Sequence, residues 1–368
     1  GAVALTRERA GLPIDAYFSA SMLAWILRNV PEADALARAG KLQLGTTDAF
    51  FLQHLTGRCA TDITTASRTS LMNLERGAWD EELCKLFEVP IEALPPIRST
   101  VDSFGTVQVN GRDTPVTASV VDQQAALYGH GCRSAGDAKI TFGTGAFVLA
   151  LTGNGAVRSA AEGFLPTGAW RIGAEAPHYA VDGGVYNASS AVDWARSLGL
   201  FESYDEIGRF DGPPAIARDL AFVPALSGLA CPLWDRAAAG LWLGLSLDTS
   251  RHDLVRAVLE GVALRAAEVV AAMARHIAVQ DRVSIDGGMA KNLYFCQFLA
   301  DALGRQVTVP AVSEITALGC AMLAAGGNLD LGPAAAAASY VPQAADRRAW
   351  ADRFAEAVAR AKSWRRTG

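Results

Sequence analysis

Two glycine turns constrain this chain more than any other feature, because each closes a run of apolar and β-branched residues: "KITFGTGAF" at 139–147 and "VSIDGGMAKN" at 283–292. Runs of this kind read as strands, and open sheets bind ligands beyond the carboxyl ends of their strands. Taken alone, either turn is explained by a hairpin or a strand-to-helix connection, since glycine supplies positive φ at no steric cost. Taken together they suggest more. Gly143, Thr144 and Gly145 can bring backbone N–H groups and the Thr144 hydroxyl to a phosphate. Gly287 and Gly288 can let a purine lie against the backbone, while Asn292 offers both a donor and an acceptor. The chain has neither G-x-x-x-x-G-K-[ST] nor a strand-linked G-x-G-x-x-G, so the P-loop and dinucleotide-binding readings lack their principal feature. A nucleotide would be held by a composite of two turns.

The surrounding pattern supplies a sheet and its helices. "AKITFGTGAFVLALT" and "APHYAVDGGVYNASSAVDWARSLG" read as strands with glycine turns, the second running into a helix. A long helix fits 251–278, where Val255, Val258, Leu259, Val262, Ala266, Val269 and Met273 form one stripe. "RVSIDGGMAKNLYFCQFLADALGRQVTVP" reads strand, turn, helix, strand, and "EITALGCAMLAAGG" is a small-residue helix suited to close packing. "LGPAAAAASYVPQ" reads as a low-complexity connection before a terminal helix in which Trp350, Phe354 and Val358 recur every four residues.

The opening third is mostly helical. "SASMLAWILRNV" puts Met22, Leu23, Ile26, Leu27 and Val30 on one predicted face. "PEADALARAG" follows, with Pro31 in the first turn and Gly40 as its end. "TGRCATDITTASRTS" is expected as a polar loop, and "DEELCKLFEV" as a short amphipathic helix closed by Pro90. From "GTVQVNGRDTPVTASVVDQQ" the period changes to two, with Asn110-Gly111 as a hairpin turn. The whole is an α/β chain, and the composite nucleotide site is the organisation of the actin-like ATPase (ribonuclease H-like) fold.

At 368 residues the chain exceeds the size of one hydrophobic core, which predicts about two domains. A formal net charge of -5 and the lack of a basic patch exclude nucleic acid as an expected partner. No run approaches eighteen apolar residues and the first residues carry no signal-peptide core, so no membrane span and a cytoplasmic location are expected. The six cysteines contain no C-x-x-C pair, which argues against a zinc or redox site and for buried thiols.

Asp122 follows the extended run "VTASVV" and precedes "QQAALYG". Two roles compete for it. It could be an N-cap whose carboxylate accepts a backbone N–H of the next turn, or a general base at the carboxyl edge of the sheet, provided that a substrate hydroxyl lies beside it.

In order along the chain, "GLPIDAYFSASMLAWILRNV", "TTASRT", "DQQAALYG", "TFGTGAF", "PALSGLACPLWD", "GLWLGLSLDTSRHDLVRAVLEG", "DGGMAKN" and "EITALG" resemble the FGGY carbohydrate kinases, most closely the members that phosphorylate glycerol. The resemblance implies an actin-like fold of two domains with a cleft between them. It implies a kinase that uses ATP and Mg2+ to convert a small polyol, glycerol first, to its phosphate, with erythritol or xylulose as alternative acceptors. A catalytically dead nucleotide-binding homologue is the reading from another class. Asp122 takes the role of general base, with Gln123 beside it, and Tyr17 and Phe147 line the polyol pocket. Without the resemblance, both aromatics would read as core residues. Gly143, Thr144 and Gly145 match the phosphate turn, and Gly287, Gly288 and Asn292 the adenosine turn. Ser189 and Asp193 stand near the nucleotide, where the family has Gly and Gln. The resemblance assigns no metal ligand within this chain and suggests a homo-oligomer.

Three departures from the family pattern stand out. Met22 replaces a lysine of the first helix, although Trp25 of the same pattern is present, and Asp182-Gly183 replaces Glu-Gly. The family also begins with a hundred or so residues that precede this match and hold an Asp-x-Gly-Thr hairpin for phosphate and magnesium and an Arg-Glu pair for glycerol. Residues 1–131 are therefore expected to be an incomplete substrate domain and 132–368 the nucleotide domain, inactive as a chain on its own.

Overall fold

The computed structural model describes residues 1–158, 163–327 and 335–366. The chain opens with α1 (Ala2–Arg9), α2 (Ser19–Asn29), α3 (Pro31–Arg38) and α4 (Thr47–Thr56). Pro31 takes the first position of α3, where its missing N–H costs nothing. Gly40, at positive φ, lets the Lys41 N–H reach the Leu36 carbonyl and ends that helix. In α2 the helical period turns Ala20, Leu23 and Ala24 inward, and Met22 and Trp25 lie on the other side. Met22, expected on the buried stripe, is therefore 52% exposed.

β1 (Thr61–Asp62) runs into the short α5 (Ile63–Ala66). The segment expected as a polar loop is interior here: Thr61, Asp62, Thr64, Ser67 and Thr69 are all buried. Asp62 makes this possible. Its carboxylate accepts the N–H groups of Thr64 and Thr65 and the hydroxyls of Thr64, Thr65 and Thr100, so the buried polar groups satisfy one another. Burial nevertheless pushes its carboxyl above the usual range. β2 (Met72–Asn73), β3 (Ala78–Trp79), α6 (Glu81–Phe87) and β4 (Ile97–Arg98) follow, β4 pairing in parallel with β1. β5 (Thr106–Val109) and β6 (Arg112–Pro115) form the expected hairpin, with φ of 51° at Asn110 and 74° at Gly111. Positive φ at both central residues is the turn that matches strand twist.

After α7 (Asp122–Gly129) come β7 (Ala138–Phe142), β8 (Ala146–Gly153), β9 (Leu165–Trp170), β10 (His178–Val185) and α8 (Ser189–Ser197). The side pair β11 (Ala221–Val223) and β12 (Leu241–Leu243) precedes α9 (Arg251–Ala274) and β13 (Arg282–Gly287). α10 (Leu293–Leu303), β14 (Gln306–Pro310), α11 (Ile315–Ala324), β15 (Ala336–Tyr340) and α12 (Arg347–Ala361) complete the chain. One seven-stranded sheet results, in the order β15-β14-β13-β7-β8-β10-β9. β7, β13 and β14 are parallel, and the remaining neighbours antiparallel. Part of the expected connection "LGPAAAAASYVPQ" is thus an edge strand on β14, held by backbone pairing that an alanine run does not advertise; Leu331 to Ala334 lie outside the described residues.

The two faces of the sheet differ. Ile140, Phe142, Val148, Val181 and Ile285 pack against Val258, Val262 and Val269 of α9, Phe295 of α10 and Phe354 of α12. On the other face Leu149 and Leu151 meet Leu127 of α7 and Met322 and Leu323 of α11. α7 and α11 touch backbone to backbone, since a Cβ on Gly129 would overlap the Ile315 carbonyl oxygen and one on Gly319 that of Ala125. The strand period of two leaves Lys139, Thr141, Phe147, Asp182, Ser284 and Asp286 on this second face.

Candidate active site

Cross-strand register sets these side chains in two rungs. Ser284, Lys139, Leu149 and Asp182 form one, and Asp286, Thr141, Phe147 and Gly184 the next, nearer the glycine turns. Asp122 faces them from the start of α7. It is the first helical residue rather than the cap, a position held by Val121, whose N–H bonds the Thr64 hydroxyl at 3.0 Å. The Asp122 carboxylate accepts the N–H of Gln123 at 2.6 Å and remains exposed. The Lys139 ammonium, 0% exposed, donates to the Gln123 carboxamide oxygen and to the Thr141 hydroxyl at 2.7 Å.

Charge concentrates around that lysine. Arg68, from the buried "TTASRT" segment, pairs with Asp182 at 3.1 Å and lies 5.6 Å from the centre of the Phe18 ring, which meets Tyr17 edge-on at 5.4 Å. Burial pushes the Asp182 carboxyl above the usual range, against the pull of Arg68 and Lys139. For Asp286, burial is outweighed by His130, Thr141 and Lys139, which hold its carboxyl below that range. Burial draws the Lys139 ammonium down to about 8, against the attraction of Asp286, Asp182 and Asp122. His130, itself buried, bonds Ser284 at 2.7 Å and lies 3.6 Å from Asp286. Among the described residues Asp182 Oδ1, Asp286 Oδ1 and Arg68 Nη1 are buried without a hydrogen-bond partner, which suits a site that takes a polar ligand. Tyr17 is 67% and Phe147 37% exposed, so neither is a core residue and both are free to form a wall.

The turn of Gly143, Thr144 and Gly145 joins β7 to β8 and is locked to α8. The Thr144 carbonyl accepts the N–H groups of Ala188 and Ser190, and the Gly143 carbonyl accepts that of Ser189 at 3.1 Å. Neither Gly143 nor Gly145 has positive φ, so the turn does not need their conformational freedom. Gly145 is needed for packing, because a Cβ there would sit 2.6 Å from the Val185 carbonyl oxygen. Gly143 is different: a Cβ would meet nothing nearer than 3.9 Å. Gly288 is similarly open, with Ser189 Oγ its only neighbour at 3.9 Å. The two open glycines therefore both border Ser189, and this is where backbone can approach a ligand. Gly287, at φ 92°, lies against the Phe142 carbonyl and is structural. Asn292 is the cap of α10, accepting the Phe295 N–H and donating to the Ile207 carbonyl, each at 2.8 Å. These bonds fix the carboxamide and leave it one N–H and one acceptor lone pair. Asp193 accepts the Tyr204 hydroxyl.

A cavity of about 470 Å³, lined by His130, Asp137, Arg282 and Ser284, opens at the opposite ends of β7 and β13, away from both turns. Among the described residues no cluster of three His, Cys, Asp or Glu side chains could hold a metal, and no helix is long and apolar enough to cross a membrane. Four of the six cysteines are buried as expected, but Cys59 is half-buried and Cys320 exposed.

Lys139, Arg68, His130 and Asp286 were not singled out as site residues from sequence. For Lys139 a signal existed: a lone charge inside "AKITF", whose other members suit a fully buried strand.

Residues 2–129 match the N-terminal domain, and residues 138–327 the C-terminal domain, of the FGGY family of carbohydrate kinases. A glycerol kinase from a Geobacter species is 41% identical over 95% of this chain and 70% of its own length. A glycerol kinase from Alkalilimnicola ehrlichii is 42% identical over 87% of this chain and 66% of its own. The chain thus spans about two thirds of the length of the curated relatives it matches. Among solved structures, Plasmodium falciparum glycerol kinase with ADP superposes with a TM-score of 0.90 at 30% identity, covering 97% of this chain and 74% of that one. With the actin-like architecture and both family domains present, the chain belongs to the FGGY family of carbohydrate kinases.

Proposed function

We propose that the complete protein transfers the γ-phosphate of ATP to a hydroxyl of a small polyol, glycerol before others, yielding glycerol 3-phosphate. One observation carries this reading: an exposed carboxylate, Asp122, stands at the start of α7, next to Gln123, which Lys139 bonds to the strand that leads into the phosphate turn. Acceptor base and phosphate cradle are thereby held in one rigid unit. Asp122 takes the hydroxyl proton as the oxygen attacks phosphorus. Tyr17 and Phe147 bound the carbon skeleton, and Gln123 orients it. Backbone at Gly143 and Gly288, with Thr144 and Ser189, receives the nucleotide, and Gly145, Gly287 and Asn292 keep those turns in shape. Phosphoryl transfer needs positioning and charge neutralisation more than covalent chemistry. Mg2+ bound with ATP supplies charge neutralisation, and the carboxylates of Asp122, Asp182 and Asp286 suit water-mediated contact with it.

Residues 1–131 act as the substrate lobe and 132–368 as the nucleotide lobe. The protein works in the cytoplasm as a homo-oligomer; the exposed Phe50, Phe51 and Leu55 of α4 support a covered surface there. The test is a phosphorylation assay of the full-length protein with ATP and magnesium across glycerol, erythritol, xylitol and xylulose. Glycerol should give the highest kcat/KM. A better four- or five-carbon acceptor overturns the glycerol assignment, and transfer to none of them leaves a nucleotide-binding homologue.

A further inference from the structure

We propose that Lys139 is a positioning residue of the transfer reaction: its ammonium fixes the Gln123 carboxamide, and with it the start of α7 that carries Asp122, to the strand that ends in the phosphate turn. This rests on the functional reading above. Lys139 lies at the centre of the sheet and is 0% exposed, a costly place for a charge. Asp286 and Asp182 attract the ammonium, and Asp182 pairs with Arg68 at 3.1 Å, yet attraction at a distance does not fix where the ammonium's hydrogen bonds go. Among the described residues Lys139 donates two hydrogen bonds and neither goes to a carboxylate: one goes to Gln123 on α7 and the other to Thr141, two residues before Gly143. An ammonium has three donors in all, and these two bonds join the acceptor side of the cleft to the phosphate side. A misplacement of 1 Å between reacting groups can cost roughly 10²-fold in rate, which gives such a tie a catalytic consequence without contact to substrate.

The experiment compares wild type, Lys139→Met, Gln123→Ala and the double variant of the full-length protein, by crystal structure and by steady-state kinetics. In the Lys139→Met structure the Gln123 carboxamide should leave its place. Turnover should fall roughly 10- to 100-fold with KM for ATP unchanged, and the double variant should be no slower than the slower single one. Gln123 unmoved in the folded Lys139→Met protein overturns the proposal. So do single effects that multiply in the double variant, because Lys139 would then act independently of Gln123. If the wild type phosphorylates no polyol, the functional reading fails, and the position of Gln123 in the Lys139→Met structure still decides whether the tie exists.

Discussion

Arg68 bonds Asp182 on β10, Nη2 to Oδ2 at 3.1 Å, with both side chains only 18% exposed. The pair connects the buried "TTASRT" segment to the rung that contains Lys139. Removing one partner of a pair buried this far leaves the other charge uncompensated, so Arg68→Met should cost about 3 kcal/mol in urea unfolding. Arg68→Met with Asp182→Leu should recover most of that loss. A single variant as stable as wild type would make the pair peripheral.

The two glycines of the β7–β8 turn should behave differently. A methyl on Gly145 meets the Val185 carbonyl at 2.6 Å, so Gly145→Ala should lower stability by about 1–3 kcal/mol whether or not nucleotide is present. Gly143→Ala has room in the free protein and should melt like wild type while losing most of the stabilisation that ATP provides. Melting curves with and without ATP separate the two. An unchanged ATP-dependent shift in Gly143→Ala would remove that position from the nucleotide site.

Much of this was legible in sequence where local pattern and tertiary role coincide. The β7–β8 hairpin, the β13 turn and the stripes of α9 and α12 all follow from period and glycine placement. What was hidden depends on partners distant in the chain. The "TGRCATDITTASRTS" segment reads as a polar loop until Thr100 bonds Asp62 and Thr167 bonds Ser67. The capping role of Asn292, which bonds Ile207 and Phe295, likewise depends on a partner distant in the chain. α4 carries exposed Phe50, Phe51 and Leu55, which blur its amphipathic stripe. Lys139 reads as an ordinary strand lysine because the carboxylates around it come from α7, β10 and β13.

Phe147 lines the second rung and is 37% exposed. As a wall against three carbons it should reject longer chains, one methylene of misfit being worth about 1–3 kcal/mol. Phe147→Ala should therefore narrow the preference for glycerol over erythritol and xylitol in kcat/KM. A loss of stability with the preference unchanged would return Phe147 to a packing role.

Lys139 also predicts a pH dependence. Facing it are Asp122 and Gln123 of α7, Asp182 of β10, and Ser284 and Asp286 of β13, with Thr141 on its own strand. Its ammonium releases its proton at about 8 in the folded protein, against an ordinary 10.5. Between these values the unfolded chain holds the proton that the folded one has lost, so this group's contribution to stability rises with pH, by at most about 1.4 kcal/mol per unit. Below about 8 both states are protonated and the unfavourable contribution is constant. Wild type should thus gain stability relative to Lys139→Met above pH 8 in denaturant titrations, while its turnover declines over the same range. A difference between the two proteins that stays flat with pH would contradict the buried charge.

The most direct measurement of the central claim is transfer of labelled γ-phosphate from ATP to glycerol by the full-length wild type and by Asp122→Asn, alongside calorimetric ATP binding to both. Asp122 lies outside the sheet and, among the described residues, its carboxylate bonds only its neighbour's N–H, so the substitution should leave the fold and ATP affinity nearly intact. Loss of a general base should lower turnover by roughly 10²–10⁴. Turnover of the Asn variant within about twofold of wild type, a gap far too small for a lost base, would contradict the account.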